Sequence, residues 1–160
     1  MSARAELPAL DAAGAARVAR LERAYLDVDA RMRGLPVHNG RMRVEALGFH
    51  AFEHGILGIM ITPWVIHAAL LAEPPRAAGG TRTLELPSGR YPFVGAALGS
   101  FGVVETCSLM SPVLQLADQS AARAFAAVAL HALLEACPAP EPARAPAVSR
   151  RGVLGLERER

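Results

Sequence analysis

The sequence predicts an α+β fold: one compact domain, an antiparallel sheet with helices packed on one face, and a disordered C-terminal tail. Three patterns carry this. An apolar stripe at helical spacing fills the first thirty residues, short apolar or alternating runs divided by Gly and Pro occupy the middle, and an Ala-rich apolar run precedes a Pro/Ala/Arg end.

Between about Asp11 and Met32, Val18, Leu21, Tyr25, Val28 and Met32 recur at steps of three and four, one face of a helix. Gly34-Leu35-Pro36 ends it, and His38-Asn39-Gly40 is turn chemistry. Met42, Val44 and Ala46 alternate with Arg41, Arg43 and Glu45, the period of a half-exposed strand. Gly48 to Gly55 reads as a hairpin loop, and the more uniformly apolar Ile56–Ile61 as the returning, central strand. After Pro63 the pattern predicts a short helix over Trp64–Leu71, closed by Glu73-Pro74-Pro75. Thr81–Leu86, Tyr91–Ala97 and Val103–Leu109 read as a meander, with Pro87-Ser88-Gly89 at its first turn. Ser111-Pro112 offers a helix start, followed by a long buried helix to Glu135. Residues 11–136 form the predicted domain and 137–160 the tail.

Composition narrows the function classes. At 160 residues the chain can bury a full core without a metal or disulfide staple. All 17 basic residues are Arg, yet the net charge is only +2, too little for a nucleic-acid footprint. Cys107 and Cys137 match no zinc or redox spacing, which fits a reduced compartment, and no cofactor is expected. The N-terminus shows no apolar signal core. Gly55–Ala72 lacks charge, but Thr62-Pro63 at its centre splits it into buried elements, so no stable membrane insertion is expected.

Several strings invite a chemical reading. His50-Ala-Phe-Glu53-His54 matches H-x-x-E-H, in which two histidines one helical turn apart bind zinc and the glutamate activates water. Flanked by Gly48 and Gly55 between strand patterns, it reads better as a polar hairpin loop; a small zinc-dependent hydrolase is the alternative function. Cys107, His131 and Asp118 supply the residue types of a thiol hydrolase without its local signatures. Arg31, Arg33, Arg41 and Arg43 flank a turn as two Arg-Met-Arg units, either a solvated rim or a dock for an acidic surface. Near the end, Ser149-Arg-Arg-Gly-Val-Leu154 is similar to the opening of a twin-arginine export signal, without an apolar core after it.

Arg31-Met-Arg-Gly-Leu-Pro36, Thr62-Pro63-Trp64, Leu86-Pro-Ser-Gly-Arg-Tyr91 and Cys107-Ser-Leu-Met-Ser-Pro-Val113 with Ala117-Asp118-Gln119 together resemble the nickel-iron hydrogenase assembly chaperones HybE and HupJ. The resemblance spans about residues 15–136. It implies a non-enzymatic cytoplasmic chaperone that binds hydrogenase precursor subunits and delays twin-arginine export until assembly is complete. The implied partners are the small-subunit precursor, the large subunit and other maturation proteins. A client-binding groove then draws on Pro63, Trp64, Pro87, Arg90, Tyr91, Cys107, Ser108, Ser111, Asp118 and Gln119, with Trp64 as an anchor or a core residue and Asp118 as a helix cap or a salt-bridge acceptor.

Overall fold

A computed structural model describes residues 6–53 and 55–136. Two helices, α1 (Ala12–Met32) and α2 (Gln119–Leu134), enclose six strands. These are β1 (Glu45–Phe52), β2 (Gly55–Ile61), β3 (Ile66–Ala72), β4 (Thr81–Leu86), β5 (Gly89–Leu98) and β6 (Gly102–Met110), with a 3-10 turn at Gly99–Phe101. They form one sheet in the order β1-β2-β3-β6-β5-β4, and every neighbouring pair is antiparallel. Two consecutive three-strand meanders are thus joined at the centre by β3 and β6.

The α+β antiparallel class holds, but the helices lie on opposite faces of the sheet, not on one. Alternation along the central strands shows why. Leu57, Ile59 and Ile61 of β2, with Ile66, Ala68 and Leu70 of β3, pack on Ala122, Ala126, Leu130 and Leu133 of α2. The residues between them, Ile56, Met60, Ala69 and Leu71, pack on Leu21 and Tyr25 of α1. A strand sheltered on both faces needs residues that can be buried at every position, as β2 and β3 have, His67 being the one polar side chain among them.

The segment expected as a short helix, Trp64–Leu71, is instead largely strand β3. Its Ala and Leu residues favour helix in isolation, but this segment bonds to β2 on one side and β6 on the other, and that pairing overrides propensity. Gly48–Phe52, expected as loop, belongs to β1, which begins at Glu45 rather than near Met42. Register shifts between Leu47 and His50, so Gly48 and Phe49 oppose Gly58 alone in a β-bulge. Gly48 holds φ +68°, and a Cβ there would run into Leu130 of α2. The bulge therefore uses glycine both for its backbone and for the close approach of the helix.

Each helix begins on an aspartate. Asp11 Oδ1 accepts from Gly14 N at 2.7 Å, and Asp118 Oδ1 from Ala121 N at 2.8 Å. The second cap corrects the expected start at Ser111-Pro112: residues 111–118 form a loop, and α2 starts after Asp118. At the far end of α1's first turns, Arg17 donates to the Leu71 and Ala72 carbonyls and pairs with Glu73 at 3.1 Å, pinning the helix across the end of β3. The predicted tail 137–160, the string Ser149–Leu154 and His54 lie outside the described residues.

Candidate functional site

The zinc-hydrolase reading needs its string on a helix, and the backbone there is strand. His50 is buried in β1 with its Nδ1–H donating to the Gly48 carbonyl at 2.9 Å, and Glu53 is exposed at the turn after Phe52. His54 lies outside the described residues. Among the described residues no group of three or more His, Cys, Asp or Glu is placed to hold a metal ion.

The thiol-hydrolase trio is dispersed as well. Cys107 packs with the α2-side core, where burial pushes its thiol up rather than toward the reactive thiolate. Asp118 caps the start of α2 and His131 stands in its last turn beside Glu135 at 3.7 Å. Thirteen helical residues separate them, about 20 Å along the axis.

The residues expected to bind a client fall on both faces of the sheet. On the α1 side lie Trp64, half-buried against that core, Ser108, which pairs with His67 across β3 and β6, and Arg90, paired with Glu85 at 2.7 Å. Pro63 is buried behind Trp64, its carbonyl accepting from Asn39 N at 2.8 Å. Tyr91, Cys107 and Gln119 belong to the α2 side or its margin. Ser88 Oγ lies 2.7 Å from the Tyr91 hydroxyl and donates to the Leu133 carbonyl at 2.8 Å, clamping the β4–β5 turn to the end of α2. Gln119 is a buried tie: its Oε1 accepts from Arg43 N at 2.8 Å and its Nε2 donates to Glu45 at 2.7 Å. Glu45 also pairs with Arg123, which holds its carboxyl below the usual range. Pro87, Ser111 and Asp118 are exposed in turns or loops.

On the α1 side the sheet is only half covered. α1 packs over β1 and the 99–101 turn, and its core reaches β2, β3 and Val104 of β6. Beyond it, Thr81, Thr83 and Glu85 of β4, Pro92 and Val94 of β5, and Ser108 of β6 are exposed on a continuous surface. Val94, at 46% exposed, is its apolar centre.

Three polar arrangements are visible only in the structure. Asn39 is buried, and its Nδ2 donates to the Val113 and Leu116 carbonyls at 3.0 and 2.9 Å, joining the loop after α1 to the loop before α2. The His38-Asn39-Gly40 turn signal pointed at this position without revealing its partners. His67 and Tyr25 pair inside the α1-side core, the Tyr25 hydroxyl 2.9 Å from His67 Nε2. Burial raises the tyrosine pKa and pulls the imidazole down to about 4, so His67 is neutral and shares a hydrogen bond with the phenol. Glu105, 3% exposed, receives both arms of Arg82 at 2.7 Å, with Arg76 at 3.7 Å.

Fold and surfaces define a class: a small α+β domain that commits its buried polar groups to structure and leaves a half-sheet and several loops open to a partner. Comparison with known proteins gives the family. Residues 16–156 match the family described as NiFe-hydrogenase assembly, chaperone, HybE. The chain is 39% identical to the hydrogenase expression/formation protein HupJ of Bradyrhizobium diazoefficiens, covering 85% of this chain and 86% of that protein. It is 36% identical to protein HoxT of Cupriavidus necator, covering 86% and 87%. The solution structure of HybE from Escherichia coli superposes with a TM-score of 0.61 at 25% identity, covering 89% of this chain and 91% of that one. The chain belongs to the HybE family of NiFe-hydrogenase assembly chaperones. No helix among the described residues is long and apolar enough to cross a membrane.

Proposed function

We propose that this protein is a cytoplasmic, non-catalytic chaperone that binds NiFe-hydrogenase precursor subunits during maturation and delays twin-arginine export until assembly is complete. The observation that carries the reading is the family match across residues 16–156, which takes in most of α1, the whole sheet and α2. The half-covered sheet supports it physically. An extended client segment needs a preformed surface with polar anchors and an apolar centre, and the face around Val94 presents Thr83, Arg90 and Ser108 about that centre. We assign client contact first to Trp64, Arg90 and Ser108, with Pro63 fixing Trp64 from behind. The chaperone unit is residues 11–136.

Affinity purification of the tagged chain from hydrogenase-expressing cells tests the reading. The expected co-purifying chain is an uncleaved small-subunit precursor, with or without the large subunit. Recovery of no hydrogenase chain while both proteins are expressed would overturn it.

A further inference from the structure

We infer that the outer edge of β4 is a self-association surface, on which a second copy of this chain adds its own β4 antiparallel and joins two six-stranded sheets into one. No client is needed for this contact.

The sheet has two outer strands, β1 and β4, and the fold treats them differently. β1 is shielded: Ala51 N donates to the Pro8 carbonyl at 3.2 Å, Ala46 N donates to the Glu22 carboxylate at 3.0 Å, and the bulge between Leu47 and His50 bends the strand. β4 pairs with β5 along its whole length without a bulge and contains no proline. Gly95 N donates to the Gly80 carbonyl and the Gly95 carbonyl accepts from Gly79 N, both at 2.8 Å, so the odd-numbered residues of β5 turn their main chain toward β4. Their partners Arg82, Leu84 and Leu86 turn toward β5, which leaves Thr81, Thr83 and Glu85 turned outward. Pro92, with no N–H to give, stands opposite Thr83, where β5 faces away from β4. Among the described residues nothing bonds to the outward N–H and C=O groups of Thr81, Thr83 and Glu85.

The charges that could guard this edge lean away from it. Arg82 reaches across β5 to Glu105 of β6 with both arms at 2.7 Å, and Glu85 pairs with Arg90 of β5 at 2.7 Å. What the edge then matches is itself. In a two-fold antiparallel pairing centred on Thr83, that residue faces its own counterpart, and Thr81 of each copy faces Glu85 of the other. All three outward residues of both strands then exchange both main-chain bonds. Every other symmetric register leaves some of those groups unpaired. No like charges stand opposite one another, Thr–Thr is a favourable cross-strand pair, and the Thr81 hydroxyl can donate to the facing Glu85 carboxylate. Because the two-fold axis crosses the sheet, the exposed half-sheets of both copies, around Thr83 and Val94, meet on one side as a single surface.

Sedimentation velocity of the full chain over a concentration series tests the inference, and a monomer–dimer equilibrium is expected. Thr83→Pro removes a donor from each copy that serves nothing inside the fold, and should weaken association at least about tenfold. Thr83→Lys opposes two like charges and should weaken it at least about fivefold, while mixing Thr83→Lys with Thr83→Glu chains should restore association as a heterodimer. Thr83 is exposed, so thermal unfolding of the Lys and Glu variants should match the wild type; if the Pro variant fails to fold, the charge pair decides alone. A chain monomeric at every concentration, which leaves the edge to an extended segment of another protein, overturns the inference. So does a dimer that the folded variants do not weaken, or no recovery on mixing.

Discussion

The buried Tyr25–His67 pair makes this fold sensitive to acid in a defined window. In the native protein the imidazole pKa is pulled from 6.5 to about 4 by burial, while in the unfolded chain it returns to its ordinary value. Below pH 6.5 the unfolded state gains a proton that the native state refuses, so stability falls as pH drops from 6.5 toward 4, and the loss ends once native His67 also titrates. A shift from 6.5 to about 4 at ~1.4 kcal/mol per pH unit amounts to about 3 kcal/mol, a large part of a small domain's stability. Urea unfolding of the wild type and of His67→Gln at a series of pH values measures it. The side-chain amide of Gln can still hydrogen-bond to Tyr25, as donor or as acceptor, but cannot titrate, so subtracting the two curves removes the carboxylates that also protonate in this range. The difference should shrink by about 3 kcal/mol between pH 6.5 and 4, and a difference independent of pH would falsify the assignment of His67 as a neutral, desolvated imidazole.

Asn39→Ala removes three side-chain hydrogen bonds, leaving the Val113 and Leu116 carbonyls without that donor and Arg41 N without its acceptor. A loss of about 3 kcal/mol is expected in urea unfolding, with faster amide exchange in the loop before α2. Asn39→Asp should be worse than Ala near neutral pH, because a carboxylate oxygen would face the two carbonyls. Glu105→Gln cancels the charge that balances Arg82 and should cost about 2 kcal/mol, less than a fully buried pair because Arg82 reaches partly into solvent. Truncation after Ala136 should leave the thermal transition within experimental error, since the described residues that build both cores all precede it.

Where one face of an element is buried, the sequence announces it. Val18, Leu21, Tyr25 and Val28 all reach the α1-side core, because their helical spacing leaves no other shared face. The meander β4–β6 was legible for a related reason: Pro87-Ser88-Gly89 marks its turn, and Leu84, Leu86 and Phe93 mark its buried side. Burial on two faces erases that periodicity. Ile66–Ala72 is apolar but for His67, so its spacing cannot distinguish a buried strand from a buried helix, and Ala-Ala-Leu-Leu favours helix. The same uniform burial in β2 and β3 is the trace of a helix on each face. The candidate site was less legible, since Cys107 and Ser108, or Arg90 and Tyr91, are adjacent in sequence and stand on opposite sides of a strand.

That separation constrains how the domain can hold a client. The α2 side is closed over its strands by Leu130, Leu133 and the clamp from Ser88 to Leu133, and Cys107 is packed against that core. A segment of client chain that reaches Tyr91 or Gln119 must first break contacts that hold the sheet together. On the α1 side it meets Thr83, Val94 and Ser108 with nothing to displace. A client held there, as proposed above, would add apolar burial at Val94 and leave the two cores intact, so its release need not be coupled to unfolding.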